Sequence, residues 1–163
     1  MLDTHRHTPG IVEQLLEKLQ NEIMKNAEVR HTVESLQYFY ERRARDGIVG
    51  LEAKLMAGER KHELYLALAK KEQFAKLLEK WSLYASAQEI FAYLLAEVEC
   101  QFSMFVYPKI GQLEQVEINQ LVDDRIVAPT IAECGTSVFT LNHSLVMGMI
   151  YWLAEQCFVQ WHR

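Results

Sequence analysis

The sequence predicts a mainly α protein: a multi-helix bundle with long helices, carrying one short β pair near the C-terminus. Three observations predict it. Only 7 Gly and 3 Pro occur in 163 residues, too few for the many turns of an all-β fold. Apolar residues recur at steps of three and four along most of the chain, which places them on single helical faces. Half of the residues are hydrophobic and 24% are charged, the balance of a chain that buries a core. At this length residues 1–163 are read as a single helical domain that needs no staples.

The elements follow in order. Thr8 and Pro9 read as the N-cap and first position of a helix. Ile11, Leu15, Leu19 and Ile23 form its apolar face. Asn26, Ala27 and Glu28 mark a kink or short break. Val29, Val33, Leu36, Phe39 and Tyr40 then resume the pattern, toward a basic last turn and Gly47. Residues 48–57 read as a short helix. Residues 59–83 read as a long one, with Leu64, Leu68, Phe74, Leu77, Leu78 and Trp81 on its stripe. Ser86, with Glu89 three residues later, has the spacing of a capping box. It opens a helix over 87–106 that is apolar on most sides and therefore central in the bundle. Pro108 and Gly111 stop that helix. Residues 116–127 form another amphipathic helix, which Pro129 disrupts or restarts. The stretches 136–141 and 157–161 look extended and supply the short β pair. Asn142 caps the last helix, 143–155. Gly148 inside it costs roughly 1 kcal/mol relative to Ala, and a close approach by another helix would be a physical reason for it.

The bulk properties narrow the function. Net charge is −5, so no global basic surface invites nucleic acid. The polar start, Leu2 to His7, is unlike a signal peptide. No uninterrupted apolar run of about 18 residues appears, so no membrane span is expected. Three widely spaced cysteines fit reduced thiols and a cytoplasmic location. Neither GxxxxGK[ST] nor GxGxxG is present, so no nucleotide cofactor is expected.

Few residues offer chemistry. Cys134, His143, Cys157 and His162 are of the types that hold zinc. Their long gaps, with no close Cys-x-x-Cys pair, fit ordinary core or surface side chains better. There is no His-Glu-x-x-His and no repeated Glu-x-x-His, so the metalloprotease and two-metal bundle patterns are missing. No catalytic residues are assigned. Arg42, Arg43 and Arg45 could meet phosphate or an acidic partner, or could simply be a solvated helix end. Asp123, Asp124 and Glu133 read as a solvated acidic face. The chain ends in many large side chains. Tyr151, Trp152, Phe158, Trp161 and His162 are read as a partner interface, with core packing as the competing reading.

One resemblance adds to this. The stretch 148–162, GMIYWLAEQCFVQWH, is similar to the closing segment of accessory domains in ABC-three-component bacterial defence systems, which overlap the Lamassu group. FYERR at 39–43, GLEAKL at 50–55 and IVAP at 126–129 support it. Such systems pair an SMC-like ABC ATPase with an effector, often a nuclease, and a small third protein. The resemblance implies that this chain is the small subunit or an accessory helical domain. As such it would bridge ATPase and effector without catalysis of its own and meet DNA only through the complex. A small metal enzyme built on the Cys/His set and a DNA-contacting module built on the arginines are the alternatives.

Overall fold

The computed structural model describes residues 10–41, 46–134 and 136–163. Thr8, Pro9, Arg42, Arg43 and Arg45 lie outside these. Helix α1 (Ile11–Met24) starts after Gly10 and buries Val12 and Leu19. It ends where the sequence weakens, with Asn26 in a left-handed turn (φ 49°). The expected long helix beyond it is shortened to α2 (Glu34–Tyr40). The buried side chain of Gln88 explains the shortening. Its Oε1 accepts from Val33 N at 2.8 Å, and its Nε2 donates to His31 O at 2.9 Å and Ser82 O at 2.7 Å. The segment before α2 thus has its backbone satisfied without being helical.

Helix α3 (Leu51–Ala57) follows Gly50, whose φ of +89° favours glycine. Its first amide, Leu51 N, donates to Glu155 Oε2 at 3.0 Å, so the cap comes from more than 100 residues away. A 3₁₀ turn (Lys61–Glu63) leads into α4 (Leu64–Trp81). Ala67, Phe74 and Leu78 carry its inward face, while Leu68 is 40% exposed, contrary to the sequence stripe.

Helix α5 (Ala85–Gln101) is the central element, burying Ile90, Phe91, Leu94, Leu95 and Val98. Its N-cap is Tyr84 rather than the expected Ser86. Ser86 instead binds Glu22 of α1: its amide donates to Oε1 at 3.1 Å and its hydroxyl to Oε2. The helix continues as a wide π turn (Phe102–Val106) and a 3₁₀ turn (Tyr107–Lys109) containing Pro108. The stretch Ala85–Lys109 is long and apolar enough by length and composition to cross a bilayer. Its contacts with α1, α2, α4 and α8 are those of a core helix.

Helix α6 (Gln115–Val122) carries the capping box of this chain, between Glu114 and Glu117. A second π turn (Asp123–Val127) joins it to α7 (Ala128–Cys134). Pro129 thus restarts the helix, because a wide turn precedes the position where its missing N–H would otherwise break the ladder. The last helix, α8 (His143–Glu155), has the bounds the sequence predicts, and Asn142 Oδ1 accepts from Leu145 N at 2.9 Å. Among the described residues no strand forms. The expected β pair is replaced by turns at 136–140 and by an irregular segment at 157–161.

Helices α4 and α8 form the most extensive helix pair. They meet at Gly148, where a Cβ would lie 2.2 Å from Lys70 O and 3.1 Å from Phe74 Cβ. The close approach anticipated for that glycine is present. Phe74 links the pair to the rest of the core, edge-on to Phe91 at 6.0 Å and to Trp152 at 5.9 Å.

Candidate interaction surface

The sequence predicts a partner interface at the C-terminal aromatics. Tyr151, Trp152, Phe158, Trp161 and His162 are all buried, none more than 6% exposed. That reading is corrected: these side chains pack inside the chain's own core. Trp161 is held most firmly. Phe102 meets it edge-on at 5.1 Å, Tyr151 lies at 6.0 Å, and the Arg60 guanidinium stands 4.9 Å from its ring centre. Its backbone runs so close to Gly58 that a Cβ there would fall 2.1 Å from Trp161 O. His162 Nε2 bonds Asp46 Oδ2 at 2.7 Å. This bond, joined by one from the Ile48 amide, holds the Asp46 carboxyl below its usual range.

The four residues of the zinc reading do not converge. Cys134 Sγ lies 3.3 Å from Ser137 Oγ, and burial pushes its thiol up. His143 Nε2 pairs with Asp123 Oδ1 at 2.9 Å on the surface. Cys157 Sγ is 3.3 Å from Lys54 Nζ, and His162 is on Asp46. Among the described residues no group of three or more His, Cys, Asp or Glu side chains could hold a metal ion. Glu133 has its carboxyl pushed up by burial and then by Glu97, yet both it and Asp124 are exposed.

A cleft lies beside the C-terminal segment. It has a volume of about 790 Å³ and is lined by Gly58, Glu59 and Arg60 on one side and by Leu113 to Val116 on the other. Trp161, His162 and Arg163 also line it. Gln115 Nε2 donates to Glu59 O at 2.9 Å and ties the two sides together. Arg60 is buried and fixed by Glu63 at 2.8 Å and Asn119 Oδ1 at 2.9 Å. The elements that form this cleft also carry exposed apolar side chains. These are Val116 on α6, which lines it and is 73% exposed, and Met56 on α3, next to the lining residue Ala57 and 51% exposed. Single exposed apolar residues are ordinary, and a pair beside a cleft is what a docking partner could cover.

The sequence reading missed Lys54, Met56, Arg60 and Val116. Lys54 was within reach, since its spacing from Leu51 and Leu55 puts it on the buried face of α3. Arg60 and Trp161 are about 100 positions apart, and no local pattern joins them.

The family comparison bears on the same region. Residues 50–161 match the model of CTD9, C-terminal domain 9 of the ABC-three component (ABC-3C) systems. The chain belongs to the CTD9 family. It is therefore a component of ABC-three-component systems. The CTD9 match begins at Gly50, the turn into α3, and ends at Trp161. It contains every cleft residue named above except His162 and Arg163, and it leaves α1 and α2 outside. Comparison with curated proteins and with solved structures finds no match.

Proposed function

We propose that this CTD9 chain is a non-catalytic docking domain. It bridges an SMC-like ABC ATPase and an effector nuclease in the cytoplasm, and it holds the effector idle until foreign DNA engages the ATPase. DNA is met only through the complex. The observation that supports this reading is the cleft with its exposed apolar neighbours, built from CTD9 residues. Membership of an ABC-three-component system supplies the class of partner.

A partner covering Met56 and Val116 would gain the burial free energy of about 25 cal/mol per Å² that they forgo in isolation. Replacing either by Glu changes an exposed position, so the fold should lose no more than about 0.5 kcal/mol. Against a partner, each charge should weaken association by about tenfold or more. The test is co-purification of the tagged chain from its native cell, with mass spectrometry to find an ATPase and an effector nuclease. The wild-type chain is expected to recover both, and the Met56→Glu, Val116→Glu double variant to recover neither at an unchanged melting temperature. Equal recovery by the double variant would overturn this surface as the dock. Isolation of the wild-type chain alone would overturn the bridging role.

A further inference from the structure

Cys157 stands where a helix usually places glycine. Helix α8 ends in a Schellman turn: Phe158 N donates to Leu153 O at 2.8 Å, and Cys157 N donates to Ala154 O at 3.0 Å. The residue at this turn must be left-handed, and Cys157 has φ 66°. A side chain in that conformation is strained, so its placement calls for a reason.

The turn brings the sulfur to Lys54. Nζ of Lys54 lies 3.3 Å from Sγ of Cys157, and it also donates to Ile48 O. Both side chains are closed off from solvent, Lys54 at 0% and Cys157 at 1% exposure. A fully buried lysine normally ends on a carboxylate. This one ends on a thiol and a carbonyl. A cavity of about 50 Å³, lined by Phe102, Tyr107, Cys157 and Phe158 among others, reaches the sulfur's surroundings. One water-sized molecule needs roughly 15 Å³ of such space, so a small oxidant fits. Neither of the other cysteines shares this arrangement: Cys100 is exposed beside Met104, and Cys134 sits on Ser137.

We propose that Lys54 and Cys157 form an oxidative modification site, in which peroxide joins Sγ to Nζ through a single oxygen atom and staples α3 to the end of α8. The first peroxide takes two electrons from the thiol, leaving a sulfenic acid and one water. The water formed carries away the ammonium proton of Lys54. A second peroxide then takes two further electrons as the sulfenic oxygen bonds to Nζ. The hydroxyl proton and one amine proton leave with the peroxide oxygens as two waters. The sum is a thiol, an amine and two peroxides giving S–O–NH and three waters. One bridging oxygen spans most of the present gap. A direct sulfur–nitrogen bond would instead have to draw the two buried backbones together. The Schellman turn keeps Cys157 in place throughout.

The test is peptide mapping by mass spectrometry of the full wild-type chain after mild hydrogen peroxide, before and after dithiothreitol. The expected product is a linked pair of peptides containing Lys54 and Cys157, heavier than their sum by one oxygen less two hydrogens. Dithiothreitol should separate the pair, and Cys157→Ser should not form it. Oxidation of the exposed Cys100 in the same sample shows that the oxidant was competent. Cys157 found as free thiol, or as sulfinic or sulfonic acid with Lys54 unlinked, would overturn the proposal. A linked pair lacking the added oxygen would overturn it as well.

Discussion

Tyr151 shows at the scale of one residue what burial does in this core. Its phenol is pushed up from 10.0 to about 12, first by burial, then by Glu63, against a smaller lowering by Arg60. A raised acid of this kind holds its proton more tightly when folded. Its contribution is complete below the unfolded value and is lost as pH rises through the folded one. Stability should therefore fall between pH of about 10 and about 12, by roughly 2–3 kcal/mol from this group alone. Tyr151→Phe has no proton to lose and should flatten that part of the curve. Urea titrations across the alkaline range measure it, and identical slopes for the two proteins would refute the assignment. The same residue shows a limit of sequence reading. A run of aromatics looks alike whether it faces a partner or its own chain. What decides for Tyr151 and Trp161 is the groove beside Gly58 and the guanidinium of Arg60, which lie far away in sequence.

Between elements, the α4–α8 contact rests on the missing side chain of Gly148. In an isolated helix Gly148→Ala would help by roughly 1 kcal/mol. Here the added Cβ would meet Lys70 O at 2.2 Å, and a backbone carbonyl inside a helix cannot swing aside. Overpacking costs about 1–3 kcal/mol, and a 2.2 Å contact with backbone belongs at the upper end, so after the helix gain a net loss of about 2 kcal/mol is expected. It should appear as a lower urea midpoint with the helical circular dichroism retained, and an unchanged midpoint would mean the helices sit farther apart. This contact was legible because an unfavourable residue in a good helix demands a cause. The cap at Asn142 was legible because capping is local. The β pair was misread for the opposite reason. Alternating β-branched residues describe a half-buried extended chain, and residues 157–161 are held by a Schellman turn and a groove instead of a neighbouring strand. The capping-box spacing at Ser86 and Glu89 was likewise outcompeted, because Glu22 from α1 reaches Ser86 first. The two π turns left no sequence signal beyond the prolines near them.

For the molecule as a whole, the family boundary and the folding unit do not coincide. The CTD9 match starts at residue 50, yet α1 and α2 both pack on α5, and α1 is among its most extensive neighbours. Val12, Leu19, Leu36 and Phe39 are buried, Phe39 against Phe158 at 5.1 Å. Glu22 closes the N-terminus of α5, and Gln88 holds the segment before α2. Val29 N bonds Leu83 O at 2.7 Å, which adds a backbone tie across the same seam. Cutting the chain at the family boundary would strip α5 of one apolar side. It would also leave the amide of Ser86 and the side-chain oxygen of Gln88 without their partners, at about 1–3 kcal/mol for each group that stays buried. Each large apolar side chain withdrawn from the core forfeits roughly 1.5–3 kcal/mol more. Against the 5–15 kcal/mol that holds a typical domain together, these losses suffice to unfold it. A chain of residues 50–163 is therefore expected to aggregate or to melt without cooperativity, while residues 10–163 melt in one transition. Calorimetry of the two decides. A cooperative transition for the shorter chain at the same temperature would mean that α1 and α2 are an appendage, and that the CTD9 segment carries its own core.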